Sequence, residues 1–222
     1  MIIIIKQVVK IGGSLFPDYA IDLAKKLKNT NSCIVLGGGD FANLIRKYND
    51  EQNFSEEVNH WTAIDCMDII AKLVNDKVES AKLAYTIEEV NDISDEGLTP
   101  IFAVSKFLKT EDPFECSWDV TSDSIAAYIS HLLNANLLIV TNVNGIYTQE
   151  PKEPGSTFIS KIDATKLLTF QESSIDVMLP SLLLRFGTNC YVVNGKYPER
   201  VLSLIDDNVN DYNFDYTQIT GD

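Results

Sequence analysis

Two glycine-rich turns carry the first chemical signal. Lys10-Ile11-Gly12-Gly13-Ser14 and Gly37-Gly38-Gly39-Asp40 each follow a short apolar run and precede a stretch of helical spacing. Backbone N–H groups at such strand-to-helix turns bind anions, because the unpaired donors and the helix dipole both favour negative charge. Glycine lets a ligand approach the backbone closely. Lys10 stands two residues before Gly12, within reach of a phosphate held there. Neither turn fits GxxxxGK[ST] or GxGxxG. A tight turn would explain either one alone; the two together, with Lys10, point to phosphate binding.

Further groups come later in the chain. In Ser117-Trp118-Asp119-Val120-Thr121-Ser122-Asp123, the two aspartates are four apart and straddle a helix start. Thr121 or Ser122 is a natural N-cap, and Asp123 suits a first turn. The alternative is functional: these carboxylates orient Lys10 or hold magnesium near phosphates. Thr141-Asn142-Val143-Asn144-Gly145-Ile146-Tyr147, followed by Pro151-Lys152, puts polar residues and glycine after another apolar run. α/β folds bind ligands at such strand ends, although Asn-Gly alone marks an ordinary turn.

These residues need a scaffold. The Ile- and Val-rich residues 2–11 suit a strand buried on both faces. A helix over 16–28, a strand at 33–36 and a helix over 40–48 follow in βαβα order, which predicts a parallel sheet covered by helices. A long helix or two joined ones span 55–80, and the acidic stretch 86–99 reads as surface. Strands are expected at 100–104, 137–141 and 190–193, and an irregular segment at 110–118. Helices are expected at 122–133, 162–170, 175–186 and 196–205, a loop or hairpin at 143–160, and an edge strand near 216–220.

With 18 Lys and Arg against 32 Asp and Glu, the 222 residues carry a formal charge of −14. That argues against a nucleic-acid binder, and no basic run marks a membrane-binding surface. Cys33, Cys66, Cys116 and Cys190 form no CxxC pair, and His60 and His131 stand far from them. A zinc site is not expected; reduced thiols in a cytoplasmic protein are. The apolar run at Met1–Ile5 is too short for a membrane span and lacks the features of a signal peptide.

Taken in order, the Lys10–Ser14 and Gly37–Gly39 turns, the Asp119–Asp123 element, Thr141–Tyr147 and Val193-Asn194-Gly195 resemble the amino acid kinase family over about residues 6–205. The family includes acetylglutamate kinase, UMP kinase, carbamate kinase and isopentenyl phosphate kinase. The resemblance implies an α/β fold, a three-layer αβα sandwich with a mainly parallel central sheet, in a single domain over 1–222. About 1–116 would be the acceptor half and about 117–222 the nucleotide half. It implies transfer of the γ-phosphoryl group of ATP, with Mg2+, to a small-molecule phosphate acceptor, by a homo-oligomer. Lys10 would stabilise the transferring group and Asp123 would organise the active-site cations. Gly12 and Gly13 would donate to the nucleotide's phosphates, and Asn142, Gly145, Tyr147 and Lys152 would hold the rest of the nucleotide. Gly38, Gly39, Asp119 and Asp176 would face the acceptor.

Two departures from the family pattern stand out. Asn142 and Asn144 replace the aspartates often found there. Asp176, in Ser173-Ser174-Ile175-Asp176-Val177-Met178-Leu179-Pro180, falls about where many members carry a second phosphoryl-binding lysine. Lys152 or Lys161 would then supply the missing charge. The Cys116–Ala127 and Ile175–Pro180 segments resemble an archaeal branch whose acceptor carries a phosphate and a primary ammonium. Asp176 would pair with that ammonium, or else cap the following helix. UMP kinase and isopentenyl phosphate kinase activities are the alternatives within the family. A non-catalytic nucleotide or oxoanion binder is the alternative outside it.

Overall fold

A computed structural model describes residues 4–170, 174–206 and 213–221. Residues 2 and 3 of the expected first strand, and Ser173 of the late segment, lie outside them. The first half runs β1 (Gln7–Ile11), α1 (Asp18–Lys26), β2 (Ser32–Leu36), α2 (Gly39–Gln52), α3 (Glu56–Asn75), β3 (Ala81–Ala84), α4 (Ile87–Asp95), β4 (Thr99–Phe102) and α5 (Ser105–Glu111). The second runs α6 (Ser122–Leu133), β5 (Asn136–Thr141), β6 (Ile146–Tyr147), β7 (Phe158–Ile159), β8 (Lys161–Asp163), α7 (Ala164–Leu167), α8 (Leu179–Phe186), β9 (Cys190–Asn194), α9 (Pro198–Ile205) and β10 (Thr217–Thr220).

Among the described residues, eight strands form one sheet in the order β3-β4-β2-β1-β5-β9-β10-β8, parallel except at the β9–β10 pair. β6 and β7 pair separately as an antiparallel hairpin. β1 is central. The chain steps from β1 to β2 on one side and later returns to β5 on the other, so the carboxyl end of β1 is a topological switch point, the usual ligand crevice of such sheets. Both faces of the sheet are buried, which gives the expected three-layer αβα sandwich.

The alternation of β1 decides which side chains face which layer. Val9 and Ile11 enter the apolar core shared with α1 and α9. Val8 enters the opposite core, with Ile125, Ala126 and Ile129 of α6. Lys10 has the parity of Val8, so it points to the α6 side.

Several local expectations need correction. The stretch 86–99 is not simply surface: α4 occupies it and buries Val90 and Ile93. Thr86 caps α4 by accepting from the Glu89 N–H at 3.2 Å, while Glu89 accepts from the Tyr85 N–H at 2.6 Å. This is close to a capping box. The helix expected over 162–170 is instead strand β8 followed by the short α7, whose N-cap is Asp163. α8 starts at Leu179 rather than 175, with Pro180 in its first turn, where a missing N–H costs nothing. β10 is not an edge strand; it lies between β9 and β8.

Removing the α4 cap should cost about 1 kcal/mol of stability, the usual worth of a Thr N-cap. Thr86→Ala should lower the unfolding free energy by that amount, read as a lower urea midpoint at unchanged slope. It should leave turnover unchanged, since α4 packs on β3 and β4, away from the switch point. An unchanged midpoint would show that the cap does not hold α4.

Candidate active site

The two glycine turns touch each other at the carboxyl ends of β1 and β2. A Cβ on Gly13 would fall inside the backbone of Gly39, and one on Gly37 would lie 2.7 Å from the Gly13 nitrogen. Only backbones fit at this contact, so both turns need glycine for packing as well as for any ligand. Gly39 also takes φ +52°, a conformation that disfavours other residues. The result is one shelf built from two chain segments.

Not every expected donor is free. The Gly12 N–H donates to the Val140 carbonyl at 2.8 Å and the Gly37 N–H to the Ile11 carbonyl at 2.9 Å. Both extend sheet pairing one residue past the strand ends. Gly12 therefore shapes the shelf rather than donating to a phosphate, which corrects its expected role. Gly13, Gly38 and Gly39 stand beyond these last ladder bonds.

Lys10 and Asp123 form an ion pair of 2.7 Å beside this shelf. Lys10 is 8 % and Asp123 4 % exposed. Asp123 sits in the first turn of α6, where the helix dipole favours a carboxylate. Its Oδ2 also accepts the Asp176 N–H at 3.2 Å. The ammonium is held beside the shelf by this ion pair, 3.7 Å from where a Cβ on Gly12 would stand, and a fixed charge of this kind is preorganised to meet negative charge.

Asp176 is engaged by the chain itself. Its Oδ2 accepts from Thr121 N at 3.0 Å, Thr121 Oγ1 at 2.9 Å and Ser124 N at 2.9 Å. Its Oδ1 accepts from Ser124 Oγ at 2.5 Å and Leu179 N at 2.8 Å. A carboxylate offers about four lone-pair sites, so five donors leave none for a substrate ammonium. The geometry supports the capping role, extended to two helices. Burial, and then the charge of Asp123, push the Asp176 carboxyl above its usual range, while the Ser124 and Thr121 hydrogen bonds pull it down.

Two cavities open on either side of β1, one lined from the end of β5 onward and one by α2, α3 and the start of α6. The larger, about 820 Å3, opens past the end of β5 and is lined by Asn142, Gly145, Tyr147, Gln149, Phe170 and Ser174 among others. That volume suits a nucleotide-sized ligand. Gly145 is required by packing, since a Cβ there would collide with Thr217, whose hydroxyl accepts the Ile146 N–H at 2.8 Å. Lys152 and Lys161 are exposed and neither is in that wall. Asn144 is turned away into a network with Asn194, Arg200 and Asp215.

The smaller cavity, about 70 Å3, lies on the β2 side against Gly38, Arg46, His60, Met67, Trp118 and Ser122. The Arg46 guanidinium sits 4.6 Å from the Trp118 ring centre, a cation–π stack that holds it at the rim. Trp118 belongs to the Ser117–Asp123 group singled out from sequence, without a role of its own; Arg46 did not stand out, because it lies in an ordinary polar helix and its indole partner is 72 positions away. Asp119 is not in this wall, although Trp118 and Val120 on either side of it are. Gly39 is not in it either.

Burial holds the Cys33 and Cys190 thiols well above their usual range, so both stay protonated and inert. Among the described residues, no group of three His, Cys, Asp or Glu could hold a metal ion, and no helix is long and apolar enough to cross a membrane.

A strand-end shelf of glycine turns and a buried Lys–Asp pair thus lie together at the switch point, with one cavity on the β5 side and another on the β2 side. The model of the amino acid kinase family matches residues 6–194, and the chain belongs to that family. It is 38 % identical to the [5-(aminomethyl)furan-3-yl]methyl phosphate kinase of Methanocaldococcus jannaschii, over 97 % of this chain and 98 % of that one. The uridylate kinase of Archaeoglobus fulgidus shares its fold with a TM-score of 0.73 at 20 % identity, covering 97 % of this chain and 100 % of that one. An isopentenyl phosphate kinase in its substrate complex does so at 0.63 and 22 %, covering 96 % and 99 %.

The buried pair gives a stability test. Removing one partner leaves an uncompensated charge, at a cost of about 3–5 kcal/mol. Lys10→Met and Asp123→Asn should each destabilise the fold by roughly that much. The double variant should lose far less than the sum. Additive losses in urea unfolding would show that the two side chains are not coupled.

Proposed function

We propose that this chain is an ATP-dependent kinase that phosphorylates the phosphate group of [5-(aminomethyl)furan-3-yl]methyl phosphate, giving the diphosphate for methanofuran biosynthesis. Two lines support the acceptor: the 38 % identity across nearly the whole of both chains, and a small, mixed polar and aromatic second cavity. The observation that carries the reaction type is the buried Lys10–Asp123 pair at the junction of two phosphate-compatible turns. A non-catalytic binder has no need of so fixed a charge.

In this reading the nucleotide occupies the large cavity with Asn142, Gly145 and Tyr147, and its terminal phosphate reaches the shelf. The acceptor occupies the β2 side. An oxygen of its phosphate attacks the γ-phosphorus in line; the bond to the β–γ bridging oxygen breaks and ADP leaves with that electron pair. The acceptor phosphate is already ionised, so no strong base is needed. What the protein must do is align the two groups and neutralise spreading charge. Lys10 does so, with N–H groups of Gly13, Gly38 and Gly39. Asp123 keeps the ammonium aimed. Mg2+ bound with the nucleotide would neutralise phosphate charge. Arg46 would pair with the acceptor phosphate at the rim. Asp119, between two wall residues, would meet the ammonium.

The same reading takes the protein to be a cytoplasmic homo-oligomer, with an acceptor half over about 1–116 and a nucleotide half over about 117–222. Exposed apolar side chains at one helical face of α2 (Phe41, Leu44, Tyr48), with Val58, Ile69 and Leu73 of α3, support self-association.

The test is ADP release with the aminomethylfuran phosphate, UMP and isopentenyl phosphate measured side by side. The first should turn over with the highest kcat/KM. Lys10→Ala should cut kcat about a hundredfold or more, the usual worth of one preorganised charge. Arg46→Gln should raise the acceptor KM about tenfold, as expected for a lost charged hydrogen bond, and leave the KM for ATP unchanged. Preference for UMP or isopentenyl phosphate would reassign the acceptor. Tight nucleotide binding with no turnover on any acceptor would overturn the kinase reading.

A further inference from the structure

Asp176 occupies an unusual place. Its carboxylate binds the N-cap residue Thr121 and the first-turn residue Ser124 of α6, on either side of Asp123, while its own N–H holds Asp123 directly. It also accepts the Leu179 N–H at the start of α8. Neither helix caps itself: Thr121 and Met178, their N-cap residues, make no side-chain cap bond. One carboxylate therefore does the work of two caps, and does it around the residue that aims Lys10. Pure capping would explain the bonds to Thr121 and Leu179, but not the bond from the Asp176 backbone to Asp123. With Oδ1 on Lys10 and Oδ2 on Asp176, Asp123 is held from both sides.

We infer that Asp176 is a positioning residue for phosphoryl transfer: it locks the first turn of α6 and, through Asp123, holds the Lys10 ammonium at the phosphate shelf. It touches neither substrate. The inference rests on the kinase reading, since only turnover reports how well Lys10 is aimed.

Asp176→Asn keeps the size but puts an amide donor where donors already converge, so at least one backbone N–H, that of Leu179 if the amide nitrogen replaces Oδ1, loses its acceptor and the charge of the cap is removed. A small displacement of a charge-stabilising group costs up to about a hundredfold in rate. The variant should lose tenfold or more in kcat, while KM for ATP and for the acceptor stays within about threefold, the mark of an interaction used in the transition state. In a Lys10→Ala background the same change should cost almost nothing further, because it acts through Lys10. Ser124→Ala, which deletes only the hydroxyl donor to Oδ1, should show a milder loss of the same kind and decides the matter if Asp176→Asn does not fold.

A lowered melting temperature with kcat intact would make Asp176 a cap alone and overturn the inference. So would a KM increase confined to the amine-bearing acceptor, or an undiminished loss in the Lys10→Ala background. Absence of turnover by the wild type on every acceptor would overturn the kinase reading together with this one. Wild-type turnover with an unaffected variant would overturn this one alone.

Discussion

A lysine ammonium buried at the end of a central strand is tolerated only if a counter-charge and its own supports are brought to it. Lys10 is such a group, and the order of the fold around it follows from meeting that demand. The parity of β1 sends it to the α6 side. The first turn of α6 supplies Asp123 at 2.7 Å. Asp123 would itself be insecure in that position without a donor from the segment before α8, and that segment is fastened in turn through Asp176. Three elements distant in sequence converge to keep one positive charge in one place.

The same convergence reconciles a −14 protein with a polyphosphate ligand. Net charge governs long-range attraction, while a site is ruled by the groups within a few ångströms. Here these are an ammonium with its paired carboxylate, backbone N–H groups and helix amino ends, gathered where β1, β2 and β5 end side by side, and the donors outnumber the one counter-charge. The switch point opens a cavity on each side of β1, one of nucleotide size and one much smaller. Two ligands meeting over a shared cation is the arrangement that phosphoryl transfer requires.

Much of this was legible in the sequence, for identifiable reasons. Lys10, Asp123 and the glycine turns announce themselves because strand ends, N-caps and glycine pairs are local signals. The α4 cap was equally local, in Thr86 and Glu89, but the acidic composition of 86–99 masked it. The failures are nonlocal. No spacing rule says that the Gly12 N–H would be consumed by Val140, since that depends on β5 pairing with β1. Sequence offered the local cap of α8 that Asp176 makes through Leu179, but not that Thr121 and Ser124, more than fifty positions away, would fill the rest of its carboxylate. Its apparent substitution for a lysine suggested substrate recognition, whereas its surroundings are hydrogen-bond donors from the chain. Arg46 gave no signal in the sequence, and Trp118, though inside a group that did, gains a role only when the two are stacked.

The central claim is that Lys10, aimed by Asp123, meets the transferring phosphoryl group between the two cavities. The most direct measurement is a crystal structure with a non-hydrolysable ATP analogue and the phosphate acceptor bound together. The account expects the analogue in the cavity lined by Asn142 and Tyr147, its terminal phosphate on the Gly13 and Gly39 shelf, and Lys10 Nζ about 2.8 Å from a phosphate oxygen with the Asp123 contact retained. A terminal phosphate bound elsewhere, with Lys10 paired to Asp123 and touching no ligand, would contradict it.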